Sequence, residues 1–220
     1  AAGGRPVIEF GARRAHGTAA AVAAARGAFV GGCAGTSNVE AGFRFGIPIS
    51  GTMAHSWVMT HASEMESFRR YVELFGDESV LLIDTYDTLE AARRIGRSGM
   101  RPAAVRLDSG DLQVLSQEVR HTLDDAGLGA TQIFASGDLD EHRIAALVEG
   151  GAPIDAAASD ATIASVTFGR NATTASPRPT PCLRSPAAKA SSRMSVASAS
   201  AGWKVASPVT ASWRAASSAT

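Results

Sequence analysis

Cysteine is scarce in this chain: Cys33 and Cys182 are the only two in 220 residues, and no CxxC pair occurs. That excludes a disulfide framework and offers no thiolate metal site, so a reducing, cytoplasmic setting is expected. No apolar run approaches the roughly 18 residues of a membrane span. The opening residues, Ala1-Ala2-Gly3-Gly4-Arg5, contain no signal-peptide core and begin without methionine. Strand-like Pro6-Val7-Ile8-Glu9-Phe10 follows at once, so the N-terminus reads like that of a fragment. Net charge is lacking too, with 21 Lys plus Arg against 21 Asp plus Glu, but the balance is uneven. Up to Asp155 there are 20 acidic and 14 basic residues; from Ala156 on there is one acidic residue, Asp160, and seven basic ones. An acidic body with a basic tail that has no basic run gives little ground for nucleic-acid binding.

What is present is alternation. Short apolar runs at Val7–Phe10, Ile47–Ile49, Val80–Ile83, Ala103–Leu107, Gln132–Ala135 and Pro153–Asp155 predict strands. The longer amphipathic runs Ala12–Phe29, Ala54–Phe75, Leu89–Ser98, Leu112–Ala126 and Leu139–Glu149 predict helices. Gly76, Gly99, Gly127 and Gly150 stand at their ends as stop signals. Strands alternating with helices predict βαβ units, a parallel sheet and an α/β fold over residues 1–155.

Residues 156–220 break the pattern. Of these 65 residues 38 are Ala, Ser or Thr, with five prolines and no sustained period. Such a composition cannot bury enough apolar surface to offset its ordering entropy, which predicts a disordered tail. The abruptness of the change at Asp155, in mid-strand, favours a shift of reading frame; translating the coding DNA in all three frames around that codon tests it.

Two clusters carry the most chemistry. Arg106-Leu107-Asp108-Ser109-Gly110-Asp111 follows one apolar run, and Ser136-Gly137-Asp138-Leu139-Asp140-Glu141 follows the next. Carboxylate, hydroxyl and glycine at successive ends of parallel strands form a place to hold a polyhydroxylated phosphate ester, the usual site location in a β/α barrel. Arg13 and Arg14, at a helix start, can grip an anion bidentately. His55, where an apolar run turns into a helix, has free backbone N–H groups beside it and an imidazole able to act as nucleophile. Gly137 permits close approach of backbone. The simpler readings are a core Phe10, solvated arginines, a locally bonded His55, and Asp138 capping the helix that follows. Asp84 and Thr85 end another strand and are balanced between site and cap, while His61, His121 and His142 read as surface or structural residues.

Four blocks now stand in order: Glu9-Phe10-Gly11-Ala12-Arg13-Arg14-Ala15-His16-Gly17, Gly35-Thr36-Ser37-Asn38-Val39, Gly51-Thr52-Met53-Ala54-His55-Ser56-Trp57, and Arg106–Asp111 with Ser136–Glu141. Each is weak alone; the ordered set closely resembles the nicotinate phosphoribosyltransferase family over about residues 5–155. The resemblance implies an irregular β/α barrel of the type II phosphoribosyltransferase kind, incomplete here. It implies transfer of phosphoribosyl from 5-phosphoribosyl 1-pyrophosphate (PRPP) to nicotinate, giving nicotinate mononucleotide and pyrophosphate in NAD salvage. ATP hydrolysis, magnesium (Mg2+) and a homodimer with shared sites come with the family. By the same resemblance His55 is the phosphorylated histidine, and Asp108 serves the ribose and its developing positive charge. Phe10, Arg13, Arg14, Ser37, Asn38, Arg106, Ser109, Ser136, Gly137 and Asp138 contact substrate. Asp138 would reach ribose hydroxyls or, through water, magnesium.

The resemblance stops where the family continues into a strand and a Gly-rich phosphate loop; here no glycine appears until Gly169. Without that loop there is no nest of N–H groups for the 5-phosphate, and an open sheet leaves exposed edges. The chain alone is therefore expected to aggregate or fold partly, without turnover. Rival readings are a nicotinamide or quinolinate phosphoribosyltransferase, or an inactive fragment. The histidine block argues against quinolinate, and Gly31-Gly32-Cys33-Ala34-Gly35 lacks the spacing of a dinucleotide-binding loop.

Overall fold

The computed structural model describes residues 1–160. The expected tail began at residue 156; its first residues, Ala156–Ser159, form a strand, and residues 161–220 lie outside the described residues. Six strands form one sheet: β1 (Val7–Glu9), β2 (Gly35–Thr36), β3 (Val80–Leu82), β4 (Ala104–Leu107), β5 (Gln132–Ala135) and β6 (Ala156–Ser159). Between them run α1 (Thr18–Val30), α2 (Val39–Phe45), α3 (His55–Met59), α4 (Glu64–Phe75), α5 (Thr88–Ser98), α6 (Leu112–Asp125) and α7 (Glu141–Glu149). Among the described residues no helix is long and apolar enough to cross a membrane.

Every strand pairing is parallel, in the order β2-β1-β6-β5-β4-β3. Taken as a ring from β1 to β6, each neighbour is paired except β2 with β3, which makes the sheet an incomplete β/α barrel. The run Ile47–Ile49, expected as a strand, contributes only a single bridge, Thr36 to Ile49, on the free side of β2. The Thr36 N–H donates to Pro48 O (3.0 Å), and Ser50 N–H donates to Thr36 O (3.0 Å). Pro48 has no N–H with which to carry a ladder further.

The strand expected at Pro153–Asp155 lies one step later, as β6. Asp155 instead forms a clip: its N–H donates to Ile133 O and its carboxylate accepts from Ile133 N–H, both at 2.8 Å. β6 pairs with β5 on one side and β1 on the other, so the strand that joins the two halves of the sheet comes from the Ala-rich stretch. Its alanines are buried throughout. Small side chains suit a strand enclosed on both faces, yet an alanine run carries no β-propensity signal, which hid it in the sequence.

Two expected helices are interrupted. Ala12–Phe29 divides into a 3-10 turn, Gly11–Arg14, and α1; between them Gly17 takes φ +102°, outside helical space. Ala54–Phe75 divides into α3 and α4 because Ser63 caps α4, its hydroxyl accepting from Glu66 N–H. The two-residue β2 and the short α2 carry too few residues for either period to show.

Alternation along the strands separates two cores. Val105, Leu107, Ile133, Ala135 and Ala157 face outward into the helix layer with Ile95, Val119, Leu123 and Phe68. Ile8, Ala104, Phe134, Ala156 and Ala158 face inward, with Phe10 packed against them. Period two then places Arg106 and Asp108 on the face of Ala104, Ser136 on that of Phe134, and Asp160 on that of Ala158.

One buried group in the helix layer makes a test of stability. Glu64, at the start of α4, is buried with one carboxylate oxygen unpartnered. Burial pushes its carboxyl up to about 7, with Arg94 acting against this and Asp87 adding to it. The native state therefore holds a proton that the unfolded chain has released, and stability falls as pH rises from about 4.5 to about 7. Glu64→Gln removes that loss, and thermal melts at pH 8 are expected to show a gain of about 1 kcal/mol that fades towards pH 4.

Candidate active site

The C-terminal ends of β3, β4 and β5 converge on Asp108. Its Oδ1 accepts from the Ser136 hydroxyl at 2.6 Å, and its Oδ2 lies 3.3 Å from His55 Nε2. Arg106 lies 3.9 Å away on the Oδ1 side. Burial alone would push the Asp108 carboxyl up. The Ser136 hydroxyl, then Arg106 and His55, outweigh it and hold the group below its ordinary value, so it stands as a carboxylate. Arg106 is 8% exposed with its Nε–H unpartnered. Burial lowers its pKa against the opposing pull of Asp108, Asp84, Asp160 and Tyr71. A buried guanidinium with a free donor inside an inward-facing polar cluster is suited to a planar anion.

His55 is the first residue of α3. Its Nδ1 is 3.2 Å from the Thr85 hydroxyl and its Nε2 faces Asp108. A carboxylate can only accept, so it draws the Nε2 proton towards itself and fixes the ring. Thr85 and Asp84, which sequence left between site and cap, thus belong to this group. Asp84 Oδ2 accepts from Asp108 N–H (2.9 Å) and from the Ser109 hydroxyl (2.6 Å). Ser109 therefore braces the strand end through Asp84.

A second polar group lies at the ends of β1, β5 and β6. Arg13 pairs with Asp160 at 2.5 Å, and Arg14 pairs with Asp138 and reaches within 4.0 Å of Asp160. Asp160 is buried on the inward face; sequence placed it in the tail and missed it, although it continues the alternation of Ala156 and Ala158. Asp138 does not cap a helix: α7 begins at Glu141, and Asp140 takes the cap by accepting from Arg143 N–H. Asp138 is the only non-glycine at positive φ (53°) among the described residues. A left-handed aspartate at a strand end is a cost that functional loops commonly bear.

Phe10 packs edge-on to Phe134, ring centroids 5.9 Å apart, on the inward face. Gly137, at φ +92°, lies so close to the Asp108 carbonyl that a Cβ there would collide with it. Ser37 and Asn38 end β2: Ser37 N–H donates to Glu9 O, and the Asn38 side chain caps α2 by accepting from Ala41 N–H. Among the described residues no hydrogen bond links either of them to Asp108.

A parallel β/α sheet with arginine, carboxylate, hydroxyl and histidine gathered at its strand C-termini defines the class, a β/α-barrel ligand site. The chain belongs to the nicotinate phosphoribosyltransferase (NAPRTase) family, whose sequence model matches residues 6–169. That match passes Asp155, where the motif resemblance ended. A nicotinate phosphoribosyltransferase of Mycobacterium tuberculosis, pncB2, is 53% identical over 163 residues, covering 70% of this chain and 35% of that protein. The Bacillus subtilis enzyme of the same name is 46% identical over 167 residues, covering 70% and 32%. Among solved structures, nicotinate-nucleotide pyrophosphorylase from Pyrococcus furiosus superposes with a TM-score of 0.66 at 32% identity, over 73% of this chain and 43% of that one. Human nicotinic acid phosphoribosyltransferase superposes with a TM-score of 0.62 at 26% identity, over 70% and 43%. The chain spans about a third of the length of the curated relatives it matches.

Proposed function

We propose that this chain carries the ribose- and pyridine-binding part of a nicotinate phosphoribosyltransferase, which joins nicotinate to PRPP and releases pyrophosphate in NAD salvage. The observation that carries this is Asp108, an ionised carboxylate held between Ser136, Arg106 and His55 on the inward face. Breaking the bond from ribose C1 to pyrophosphate develops positive charge on the sugar, and a fixed carboxylate stabilises it without reorganising. Arg106, with its free Nε–H, takes the carboxylate of nicotinate, and Phe10 supplies a flat apolar wall. Arg13 and Arg14 grip the departing pyrophosphate, exchanging Asp160 and Asp138 for phosphate oxygens.

ATP coupling fits the same residues: His55, fixed by Asp108 and Thr85, is the phosphoryl acceptor. Among the described residues no three His, Cys, Asp or Glu side chains gather as a metal site. Magnesium would thus arrive on the substrate phosphates, with Asp138 as a partner through water. A homodimer completing the site and a cytoplasmic location belong to the same reading.

Binding tests this more directly than turnover. Titration calorimetry of the whole chain is expected to show nicotinate mononucleotide binding at least about tenfold more tightly than adenosine monophosphate, a difference of about 1.4 kcal/mol. Equal or absent binding of the two would sink the reading.

A further inference from the structure

Glu9 is a buried carboxylate that the chemistry above leaves unused. It is 3% exposed, at the last position of β1, directly beside Thr36 in the register of β1 with β2. Each of its two oxygens takes a donor, one from the turn that follows β1 and one from the end of β2. Oε1 accepts from Gly11 N–H at 2.6 Å, at the start of the 3-10 turn that carries Arg13 and Arg14. Oε2 accepts from the Thr36 hydroxyl at 2.5 Å, and Thr36 Oγ1 in turn accepts from Asn38 N–H at 2.9 Å. The Glu9 carbonyl adds a further bond, accepting from Ser37 N–H at 2.9 Å.

We infer that Glu9 is a positioning residue: its carboxylate locks the Gly11–Arg14 turn and the Ser37–Asn38 loop to one point, and so presets where Arg13 and Arg14 meet an anion. An acid at this place costs desolvation that an apolar residue would avoid. What the acid supplies is acceptor capacity on two sides, matched to the N–H of Gly11 in the turn and to the hydroxyl of Thr36 in β2. Among the described residues neither donor has a second acceptor, so removing the carboxylate leaves both without a protein partner there. The turn follows β1 after Phe10 alone, and the bond from Gly11 N–H to Glu9 Oε1 fixes the angle at which it leaves the strand.

The inference rests on the proposed function only for its second readout. The first is amide hydrogen exchange of the whole chain, as wild type, Glu9→Gln and Glu9→Ala, with Thr36→Val as a variant that leaves Glu9 in place. Gly11 and Asn38 amides are expected to exchange at least about tenfold faster in Glu9→Ala, while amides of β4 and β5 keep their protection; a tenfold change corresponds to about 1.4 kcal/mol. Thr36→Val should free Asn38 and spare Gly11, a split that a general loss of stability cannot produce. Glu9→Gln keeps one acceptor and is expected to restore Gly11 protection at least in part. The second readout is pyrophosphate affinity, expected to weaken about tenfold in Glu9→Ala and less in Glu9→Gln. Unchanged exchange at Gly11 and Asn38 in Glu9→Ala, or equal losses at β4 and β5, overturns the inference. If Glu9→Ala does not fold, the Gly11 and Asn38 split between Glu9→Gln and Thr36→Val decides. If the wild type binds no pyrophosphate while the exchange pattern holds, the role given to Arg13 and Arg14 fails and the lock by Glu9 stands.

Discussion

Replacing Gly137 with alanine is expected to lower the melting temperature by roughly 10 °C and to abolish nucleotide binding, because the new methyl has nowhere to go. Gly137 sits at φ +92°, and a Cβ built there would collide with the Asp108 carbonyl oxygen and come within 2.7 Å of its carbonyl carbon. These are backbone atoms of a neighbouring strand end and cannot rotate away. The left-handed conformation costs about 1–2 kcal/mol for an L-residue, and overpacking adds about 1–3 kcal/mol. Gly127→Ala separates the two terms: φ there is +71° and nothing lies within 4 Å of the added Cβ. It should cost only the conformational part, about 1 kcal/mol. Thermal unfolding of both variants by circular dichroism checks the difference. Equal losses would mean that β4 and β5 can part at their ends, and that the close approach contributes nothing to holding Asp108.

Part of this site was readable from sequence. Arg106, Asp108 and Ser136 stood out as polar residues closing short apolar runs, and the structure gathers all three at the C-terminal ends of β4 and β5. His55, Arg13 and Arg14 came from motif blocks and also stand at strand or helix ends. What escaped was set by tertiary context. Asp160 lies behind an alanine strand whose burial depends on β1 and β5 flanking it. Asp84 and Thr85 look like any polar pair after a strand, until Asp108 N–H and His55 are placed against them. Asp138 and Asp140 are equally good caps on paper. The backbone decides between them by turning left-handed at Asp138, which points that carboxylate to Arg14 instead. The breaks within the two overlong helices have local signals, Gly17 and Ser63, but an alanine-rich run of helix formers after the first and an amphipathic run after the second mask them.

Asp108 should show the largest functional effect, and two substitutions separate charge from shape. Asp108→Ala takes away the acceptor of Ser136, the partner of His55 Nε2 and the nearest counter-charge of Arg106. Removing one member of a fully buried ion pair costs about 3–5 kcal/mol. Here Asp108 is partly exposed and Arg106 keeps Asp84 near it, so about 2 kcal/mol is expected. Asp108→Asn retains the shape and the Ser136 bond and should cost nearer 1 kcal/mol. Both variants should lose nicotinate mononucleotide affinity by more than about tenfold, because the ribose hydroxyls need two acceptor oxygens and asparagine offers one. The pH dependence carries the sign. The native carboxyl lies below its ordinary value of 3.8, so its contribution is present above that value and is lost as pH falls through the native one. The stability gap between wild type and Asp108→Asn should therefore be open at pH 7 and close in acid. A gap that persists unchanged into acid would show that shape, and not the charge facing Arg106 and His55, is what Asp108 contributes, and with it the electrostatic account of this site would fall.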